Sequence, residues 1–181
     1  MRRLVVGICG ASGVALGIRL LERLAQTDCE VHLILTDPAR QVIGIESGRD
    51  LKQVEGLATR VYSPHDLLAP MASGSFTTAG MAVVPCSMKT LAGIASGYAD
   101  NLLLRAADVC LKERRRLVLV PRETPLNLIH LENMRRLAQA GATLLPPVIT
   151  MYTEPHSIDD LIDHIVGKVL DALGADGGAV R

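Results

Sequence analysis

The sequence predicts an α/β protein built on a parallel sheet with helices on both faces. Short apolar runs typical of buried strands alternate with segments whose apolar residues recur at helical spacing. The first strand passes through a glycine-rich turn directly into a helix, as the crossover between parallel strands requires. The 181 residues, 49% of them hydrophobic, suffice for one domain with a sizeable core. We expect that domain over residues 1–175, with a flexible tail over residues 176–181.

The first strand is the apolar run Leu4–Ile8, and it leads into the turn Gly10–Gly13, of sequence Gly-Ala-Ser-Gly. Such a turn directs backbone N–H groups and the positive end of a helix at one point, which suits a phosphate. The glycine spacing differs from the G-x-G-x-x-G dinucleotide pattern, and no Gly-Lys-Ser/Thr follows for a triphosphate. The turn therefore favours a mononucleotide phosphate. An unliganded turn capped by Ser12 is the alternative.

Further strands are predicted at residues 30–35, 60–62, 81–85, 114–120 and 142–147. Pro38 suits the first position of a helix, with Thr36 or Asp37 as its cap. A short helix is expected after Ser63, followed by a long loop of small residues over 70–80. Long loops in compact domains are often functional.

Composition limits the classes of partner. Nineteen basic and nineteen acidic residues give a net charge near zero, which indicates neither nucleic acid nor a membrane surface. The four cysteines include no C-x-x-C pair, so free thiols in a reducing compartment are favoured. The first strand starts without a signal peptide, and no apolar stretch reaches membrane-spanning length. We therefore expect a cytoplasmic protein.

Polar side chains follow the main predicted strands. The carboxyl ends of parallel strands share one edge of a sheet, and ligands bind there in such folds. The histidines are scattered, so we predict no metal site, and Ser12 lacks the G-x-S-x-G context of a hydrolase nucleophile. Arginine and lysine beside helix starts suit an anionic phosphate ligand. The residues expected at this edge are Gly10, Ala11, Ser12, Thr36, Ser87, Met88, Lys89, Thr90, Arg122 and Glu123.

Two other features have a structural interpretation. His32 lies inside the second strand, which favours a packed or edge side chain over a ligand. The basic run Arg114–Arg116 is interpreted as a solvated entry to the fifth strand.

Seven motifs occur along the chain in this order: Gly10–Gly13, Ser73–Phe76, Pro85–Thr90, Arg105–Asp108, Leu111–Arg115, Arg122–Pro125 and Pro146–Pro147. With them the chain closely resembles the UbiX-type flavin prenyltransferases, whose fold is shared by the flavin-containing cysteine decarboxylases. The resemblance covers residues 3 to about 172. It implies a Rossmann-like (flavodoxin-like) single domain, a flavoprotein domain over residues 1–175.

The resemblance also implies an activity. The family binds FMN and transfers a dimethylallyl group from dimethylallyl phosphate to reduced FMN. Bonds form at N5 and C6 of the flavin, and the prenylated FMN serves a UbiD-type decarboxylase as its cofactor. The family uses no metal and forms homododecamers with active sites at subunit junctions. We expect the same assembly here, with contacts through the aliphatic segments 91–94 and 102–111.

The family's functional positions are transferred residue by residue. Tyr152 and Lys168 match positions that hold the prenyl phosphate, and both are expected to reach the flavin from a neighbouring chain. Glu46, Lys112 and Glu123 match further residues of the prenylation site. The positions that match flavin-binding residues are Gly10, Ala11, Ser12, Thr36, Ser87, Met88, Lys89, Thr90 and Arg122.

These roles are chemically coherent. An allylic phosphate ionises only when its departing oxygens are neutralised, which Lys112, Lys168 and the Tyr152 hydroxyl can do in a dry site. Glu123 is expected to handle protons during ring closure. Glu46 is expected to help hold the phosphate end if it is protonated or bridged by a cation.

Three positions depart from the family pattern. Thr36 stands where serine is common and keeps the hydroxyl. Phe76 stands where some members have tryptophan, so the apolar wall of the substrate site is kept but is smaller. Lys168 stands where arginine is frequent, and a lysine is a point charge without the bidentate fork.

Two alternatives remain. A related FMN-dependent cysteine decarboxylase is expected to use a catalytic histidine after the Thr36 turn and an Asn-rich substrate motif, and neither is found. A non-catalytic flavin-binding subunit is the second alternative, and the presence of Lys112, Glu123 and Tyr152 together argues against it.

Overall fold

The computed structural model describes residues 2–175, and they form one six-stranded parallel sheet. The order across the sheet is β3-β2-β1-β4-β5-β6, so the chain winds outward in opposite directions from β1 and β4. The expected α/β class is confirmed, and the expected tail over 176–181 lies outside the described residues. The strands are β1 (Arg2–Ile8), β2 (Cys29–Leu35), β3 (Arg60–Tyr62), β4 (Gly80–Cys86), β5 (Arg116–Pro121) and β6 (Thr143–Leu144).

Helices cover both faces of the sheet and bury two aliphatic clusters against it. The first three helices and the last lie on one face, and the other three lie on the opposite face. No helix in this part of the chain is long and apolar enough to cross a membrane. The helices are α1 (Val14–Leu24), α2 (Asp37–Ser47), α3 (Leu51–Glu55), α4 (Met88–Ser96), α5 (Leu102–Lys112), α6 (Leu128–Gln139) and α7 (Ile158–Leu173).

Side-chain caps set several helix starts. The Thr36 hydroxyl accepts from Ala39 N–H at 3.3 Å, with Pro38 at the start of α2. Ser157 and Asp160 form a reciprocal capping box at α7. The expected helix after Ser63 is wrong: residues 63–69 form turns that lead into a short 3-10 helix, Pro70–Ala72. The proline at its start disfavours a helical conformation at the preceding residue.

Aliphatic residues of α4 and α5 serve the core of the chain itself. Leu91, Leu102 and Leu103 are at most 1% exposed. Packing against the sheet therefore uses the aliphatic side chains from which subunit contacts of segments 91–94 and 102–111 were expected. Exposed apolar residues lie instead around α6 and the loop before α7, at Leu126, Leu128, Ile129, Leu131, Val148, Ile149, Met151 and Ile158.

The carboxyl-terminal end of α7 is held at the amino edge of the sheet, where the strands begin. Arg2 and Arg116 each donate to the carbonyl of Leu173 at 2.7 Å, and Arg2 also donates to Gly174. These cations satisfy carbonyls that no longer bond within the helix, and they lie at its negative end. Arg116 is exposed at the start of β5, as expected of a solvated strand entry, and it also holds the end of α7.

Helix α1 lies unusually close to the sheet at Gly17. A Cβ built on this glycine would be 2.3 Å from the backbone oxygen of Val84 and 2.9 Å from a side-chain carbon of Ile8. Gly44 in α2 offers a matched contrast, since a Cβ there would meet nothing within 4 Å.

We predict opposite effects of alanine at these two helical glycines. Gly17→Ala should lower the free energy of unfolding by about 1–3 kcal/mol, because the added methyl group has no room. Gly44→Ala should raise it by about 0.5–1 kcal/mol through helix propensity alone. Urea unfolding of both variants at equal protein concentration, without flavin, measures the two changes. Equal stability of the two variants would contradict the close approach.

Candidate active site

Backbone hydrogen bonds tie the turns after four strands into one edge. Thr36 N–H donates to Ile8 O at 3.1 Å, Cys9 N–H to Pro85 O at 3.3 Å, and Arg122 N–H to Cys86 O at 3.2 Å. These bonds join the ends of β2, β1, β4 and β5 in their order across the sheet. The predicted convergence of polar turns at the carboxyl edge is therefore confirmed.

The turn after β1 packs against the start of α2. A Cβ on Gly10 would be 2.3 Å from Cβ of Pro38 and 3.0 Å from its carbonyl carbon. Gly13 has φ 95°, the left-handed conformation that favours glycine. Glycine at position 10 therefore lets the turn pack against the start of α2, and glycine at position 13 allows the left-handed backbone there.

The Glu46 carboxylate occupies the amino end of α1. Its Oε2 accepts from Gly13 N–H at 2.8 Å and from Val14 N–H at 3.3 Å. Burial acts to raise the pKa of this carboxyl, but the Ser12 hydroxyl, the two backbone N–H groups and the charge of Arg122 together lower it. Glu46 therefore holds, as a carboxylate, the donors that the sequence assigned to a phosphate.

The turn after β4 contains one exposed cation above a buried hydroxyl. Lys89 is exposed, whereas Thr90 is 8% exposed and its hydroxyl accepts from Ser87 at 3.1 Å and from the Cys9 thiol at 3.2 Å. Thr90 thus supports Ser87 from beneath. Burial raises the pKa of the Cys9 and Cys86 thiols, which keeps both protonated under the edge.

Arg122 and Glu123 follow β5 at the same edge. Arg122 is half-buried, and its charge acts on Glu46 across the cleft. Glu123 is exposed, and its Oε1 accepts from Thr124 N–H at 3.1 Å. The Arg122 guanidinium and the exposed Glu123 carboxylate therefore lie beside the turns that follow β1 and β4.

Phe76 and Lys112 lie at the opposite edge. Phe76 lies in the loop between the 3-10 helix and β4, and its carbonyl accepts from Arg115 at 2.8 Å. This loop reaches the amino edge of the sheet, where Ala79 N–H donates to Arg3 O. Lys112 ends α5 just before β5 begins, and it pairs with Glu113. At about 3.3 Å per strand residue, roughly 20 Å along β1 separates this edge from Gly10.

Lys168 is also outside the carboxyl-edge group, and Tyr152 lies in the loop between β6 and α7. Lys168 is exposed on α7, little more than one turn before Leu173, whose carbonyl is held at the amino edge. Tyr152 is 82% exposed, and its ring contacts that of His164 edge-on at 6.2 Å between centroids. The structure thus brings the flavin-matching residues, Glu46 and Glu123 to one edge, but Phe76, Lys112 and Lys168 do not join them within one chain.

The sequence analysis missed the residues that anchor the Phe76 loop. Arg115 donates to the carbonyls of Gly74 and Phe76, and Arg105 donates to Ala72 O at 3.0 Å while pairing with Asp108. Arg115 is therefore a loop anchor, and its interpretation as a solvated strand entry is wrong. The i,i+3 spacing of Arg105 and Asp108 was the available signal.

The fold and this edge define an α/β protein with a site for a mononucleotide phosphate at the switch between β1 and β4. Residues 1–170 match the family described as Flavoprotein. Flavin prenyltransferase UbiX of Escherichia coli (strain K12) is 51% identical over 172 residues, 94% of this chain and 91% of that protein. The chain belongs to the flavoprotein family and, within it, to the UbiX-like flavin prenyltransferases.

Two solved structures are also similar over nearly the full length. One is AnUbiX (PadA1) in complex with FMN and dimethylallyl pyrophosphate, with TM-score 0.96, 50% identity and coverage of 98% of this chain and 94% of that one. The other is a dodecameric FMN-dependent UbiX-like decarboxylase from Escherichia coli O157:H7, with TM-score 0.96, 47% identity and coverage of 99% and 97%. The peptidyl-cysteine decarboxylase EpiD, at 18% identity and TM-score 0.65, shares the fold alone.

We predict a pH-dependent loss of stability in Glu46→Gln. A carboxyl whose pKa is lowered on folding stabilises the protein above its ordinary pKa of about 4.3, and this contribution is lost as pH falls through the lowered value. The variant should be about 0.3–1 kcal/mol less stable than wild type at pH 7, as for other anions at helix starts. The difference should shrink below about pH 4.5. Urea unfolding from pH 7 to pH 3.5 measures it, and a constant difference would contradict the assignment.

Proposed function

We propose that this protein is a flavin prenyltransferase that joins a dimethylallyl group to N5 and C6 of reduced FMN. The observation that carries the proposal is the full-length likeness to a protein solved with FMN and dimethylallyl pyrophosphate. The residues at the carboxyl edge support it, since each motif expected to bind flavin lies there. The product would serve a UbiD-type decarboxylase in the cytoplasm.

FMN fits the carboxyl edge by its charge. The turn N–H groups after β1, the exposed Lys89 and the half-buried Arg122 suit a phosphate monoester. The Glu46 carboxylate carries the same sign of charge as a phosphate, and it already accepts hydrogen bonds from the Gly13 and Val14 N–H groups. An incoming phosphate must share those donors with Glu46 or displace it. Bound FMN supplies the two ring atoms that receive the allyl group.

Lys112, Lys168 and Tyr152 are proposed to take the phosphate of the allyl donor. The donor's carbon–oxygen bond breaks with its electron pair leaving on the phosphate, so the site must neutralise that oxygen. Two ammonium groups and a phenol hydroxyl provide this without a metal. Their side chains are exposed in the single chain, which leaves them accessible to a ligand held between copies.

Glu123 is proposed to move protons. Bond formation at N5 releases the N5 proton, and ring closure requires a proton at the allyl double bond and removal of the proton at C6. A carboxylate can perform such exchanges when it lies beside the reacting atoms. Glu123 meets the positional requirement, because it follows β5 at the same edge as Arg122.

The decisive experiment is anaerobic incubation with reduced FMN and either dimethylallyl phosphate or dimethylallyl pyrophosphate. Mass analysis of the bound flavin should show the gain of one five-carbon unit with at least one donor. Unmodified FMN, bound to folded protein with both donors, would contradict the proposal and favour a non-catalytic flavin-binding subunit. Release of CO2 from a peptide with a C-terminal cysteine would favour the cysteine decarboxylase instead.

We also propose that the protein forms a homododecamer and that each site draws on more than one copy. Lys112 ends α5 at the amino edge, roughly 20 Å along β1 from the flavin turn of its own chain, which is too far for it to act on the same allyl group. The exposed apolar residues around α6 and the loop before α7 form the type of surface that a subunit interface buries. A dodecameric relative supports this arrangement.

We predict that Glu123→Gln separates chemistry from flavin binding. The variant keeps the size and hydrogen bonding of the side chain, so flavin content should stay near normal. Complete product should form about 10²–10⁴-fold more slowly, the usual contribution of an acid–base group. Mass and absorbance should reveal singly alkylated FMN in place of the four-ring product. Wild-type rates would remove Glu123 from the mechanism, and loss of flavin alone would make it a structural partner of Arg122.

We predict complementation between edges. Co-expressed Lys112→Ala and Glu123→Gln chains should recover roughly a quarter of wild-type activity, because a site formed by two randomly mixed copies receives both intact residues that often. Arg122→Ala with Glu123→Gln is the matched control, since both residues lie at one edge of the same chain. That pair should recover nothing. Equal recovery in both mixtures, or none in either, would show that these residues do not serve one shared site.

A further inference from the structure

A buried histidine packs against the aromatic residue assigned to the substrate wall. The His32 side chain in β2 is 2% exposed. Its ring stacks on Tyr62 with centroids 5.7 Å apart, and it meets the Phe76 ring at 5.1 Å and 81°, an edge contact. His32 Nδ1 is 3.0 Å from the Tyr62 hydroxyl. The imidazole therefore lies between two aromatic rings and is fixed on one side by a hydrogen bond.

The other ring nitrogen of His32 faces Glu30, which connects the histidine through Arg3 to the face of the Phe76 ring. Within residues 2–175, His32 Nε2 makes no hydrogen bond, although Glu30 Oε1 lies 3.3 Å away. Glu30 is itself held by Arg3 at 2.8 Å, and the Arg3 guanidinium lies 5.0 Å above the Phe76 ring. Phe76 is thus contacted by a cation on its face and by the imidazole.

The surroundings of His32 favour its neutral form. Burial lowers its pKa; the charges of Arg3 and Arg60 act in the same direction, and Glu30 opposes them. A neutral ring that carries its proton on Nε2, toward Glu30, accepts from the Tyr62 hydroxyl at Nδ1. An imidazolium here would place a third positive charge beside Arg3 and Arg60 in a nearly dry position.

The Phe76 ring needs such support. It follows Ser73, Gly74 and Ser75, small residues whose side chains give it no apolar neighbours along the loop. Arg115 fixes the loop backbone through two carbonyls, and the ring packs against the apolar cluster beneath α4 and α5 as well as against His32 and Arg3. Only the packing of the ring itself can decide its orientation.

We propose that His32 is a positioning residue, whose neutral imidazole, fixed by Tyr62, sets the orientation in which Phe76 faces the allyl group. The role of Phe76 as a substrate wall rests on the proposed function. The packing of His32 on Phe76 does not. His32 lies about half-way along β2 and touches neither FMN nor donor, so it acts only through the ring that it holds.

The first test is kinetic and compares two substitutions at His32. His32→Gln keeps a polar group for Tyr62 but removes the ring, and the KM for the allyl donor should rise about 2- to 10-fold, as expected for one aromatic pair. His32→Phe keeps the ring, and its KM should return to within about twofold of wild type. The Kd of FMN should be unchanged in both. Thermal unfolding of each variant establishes that it is folded.

The second test reads the contact without catalysis. The chain contains no tryptophan, so Phe76→Trp introduces a single fluorophore at the ring in question. Its emission should fall as pH falls, with a midpoint below the ordinary histidine value of about 6.5, because a charged imidazole in contact quenches indole. The double variant His32→Phe with Phe76→Trp should show no such titration. Tyr62→Phe with Phe76→Trp should shift the midpoint, since it removes the hydrogen bond to Nδ1.

The outcomes separate this inference from the proposed function. An unchanged donor KM in His32→Gln overturns it, as does equal impairment of the Gln and Phe variants or a parallel loss of FMN affinity. If wild-type protein transfers no allyl group, the proposed function fails. The fluorescence titration then still decides the contact: a titration shared by single and double variants overturns it, and one that disappears with His32→Phe supports it.

Discussion

The joining of β1 to β4 at the centre of the sheet is the constraint on which the site depends. The two strands pair in parallel, and the chain leaves them in opposite directions, so no helix fills the space between the turns that follow them. Three backbone hydrogen bonds then fix the turns after β2, β1, β4 and β5 against one another. This frame positions a phosphate-type turn, a hydroxyl-rich turn and the Arg122–Glu123 pair side by side.

The same frame separates residues that the proposed chemistry requires together. Each crossover returns the chain to the amino edge, where the loop before β4 carries Phe76 and the end of α5 carries Lys112. The strand length of roughly 20 Å is set by backbone geometry and cannot be shortened by side-chain movement. A flavin at one edge and cations at the other can therefore meet only when copies are placed edge to edge. The exposed apolar residues near α6 give such an assembly a reason to form.

At the carboxyl edge, the Glu46 carboxylate offsets the positive end of α1 and the charge of Arg122, which the sequence alone did not indicate. The amino end of α1 attracts an anion, and in this structure Glu46 provides it from the last turn of α2. This arrangement gives the Gly13 and Val14 N–H groups a hydrogen-bond acceptor within the chain. It also means that phosphate affinity depends on how readily one carboxylate gives way.

The sequence by itself determined most of the strand and helix pattern, a cap at Thr36 or Asp37 for the helix that starts there, and the set of turns at the carboxyl edge. These follow from local periodicity and from the geometry of parallel sheets, which places every strand end at one edge. Only the tertiary structure decided that Glu46 caps α1, that Arg115 anchors the Phe76 loop and that His32 packs on Phe76. These contacts join residues 32 to 44 positions apart, and each depends on how a loop or helix packs against the sheet. No local sequence pattern predicts these contacts, because the packing of the layers, and not the spacing along the chain, decides which side chains meet.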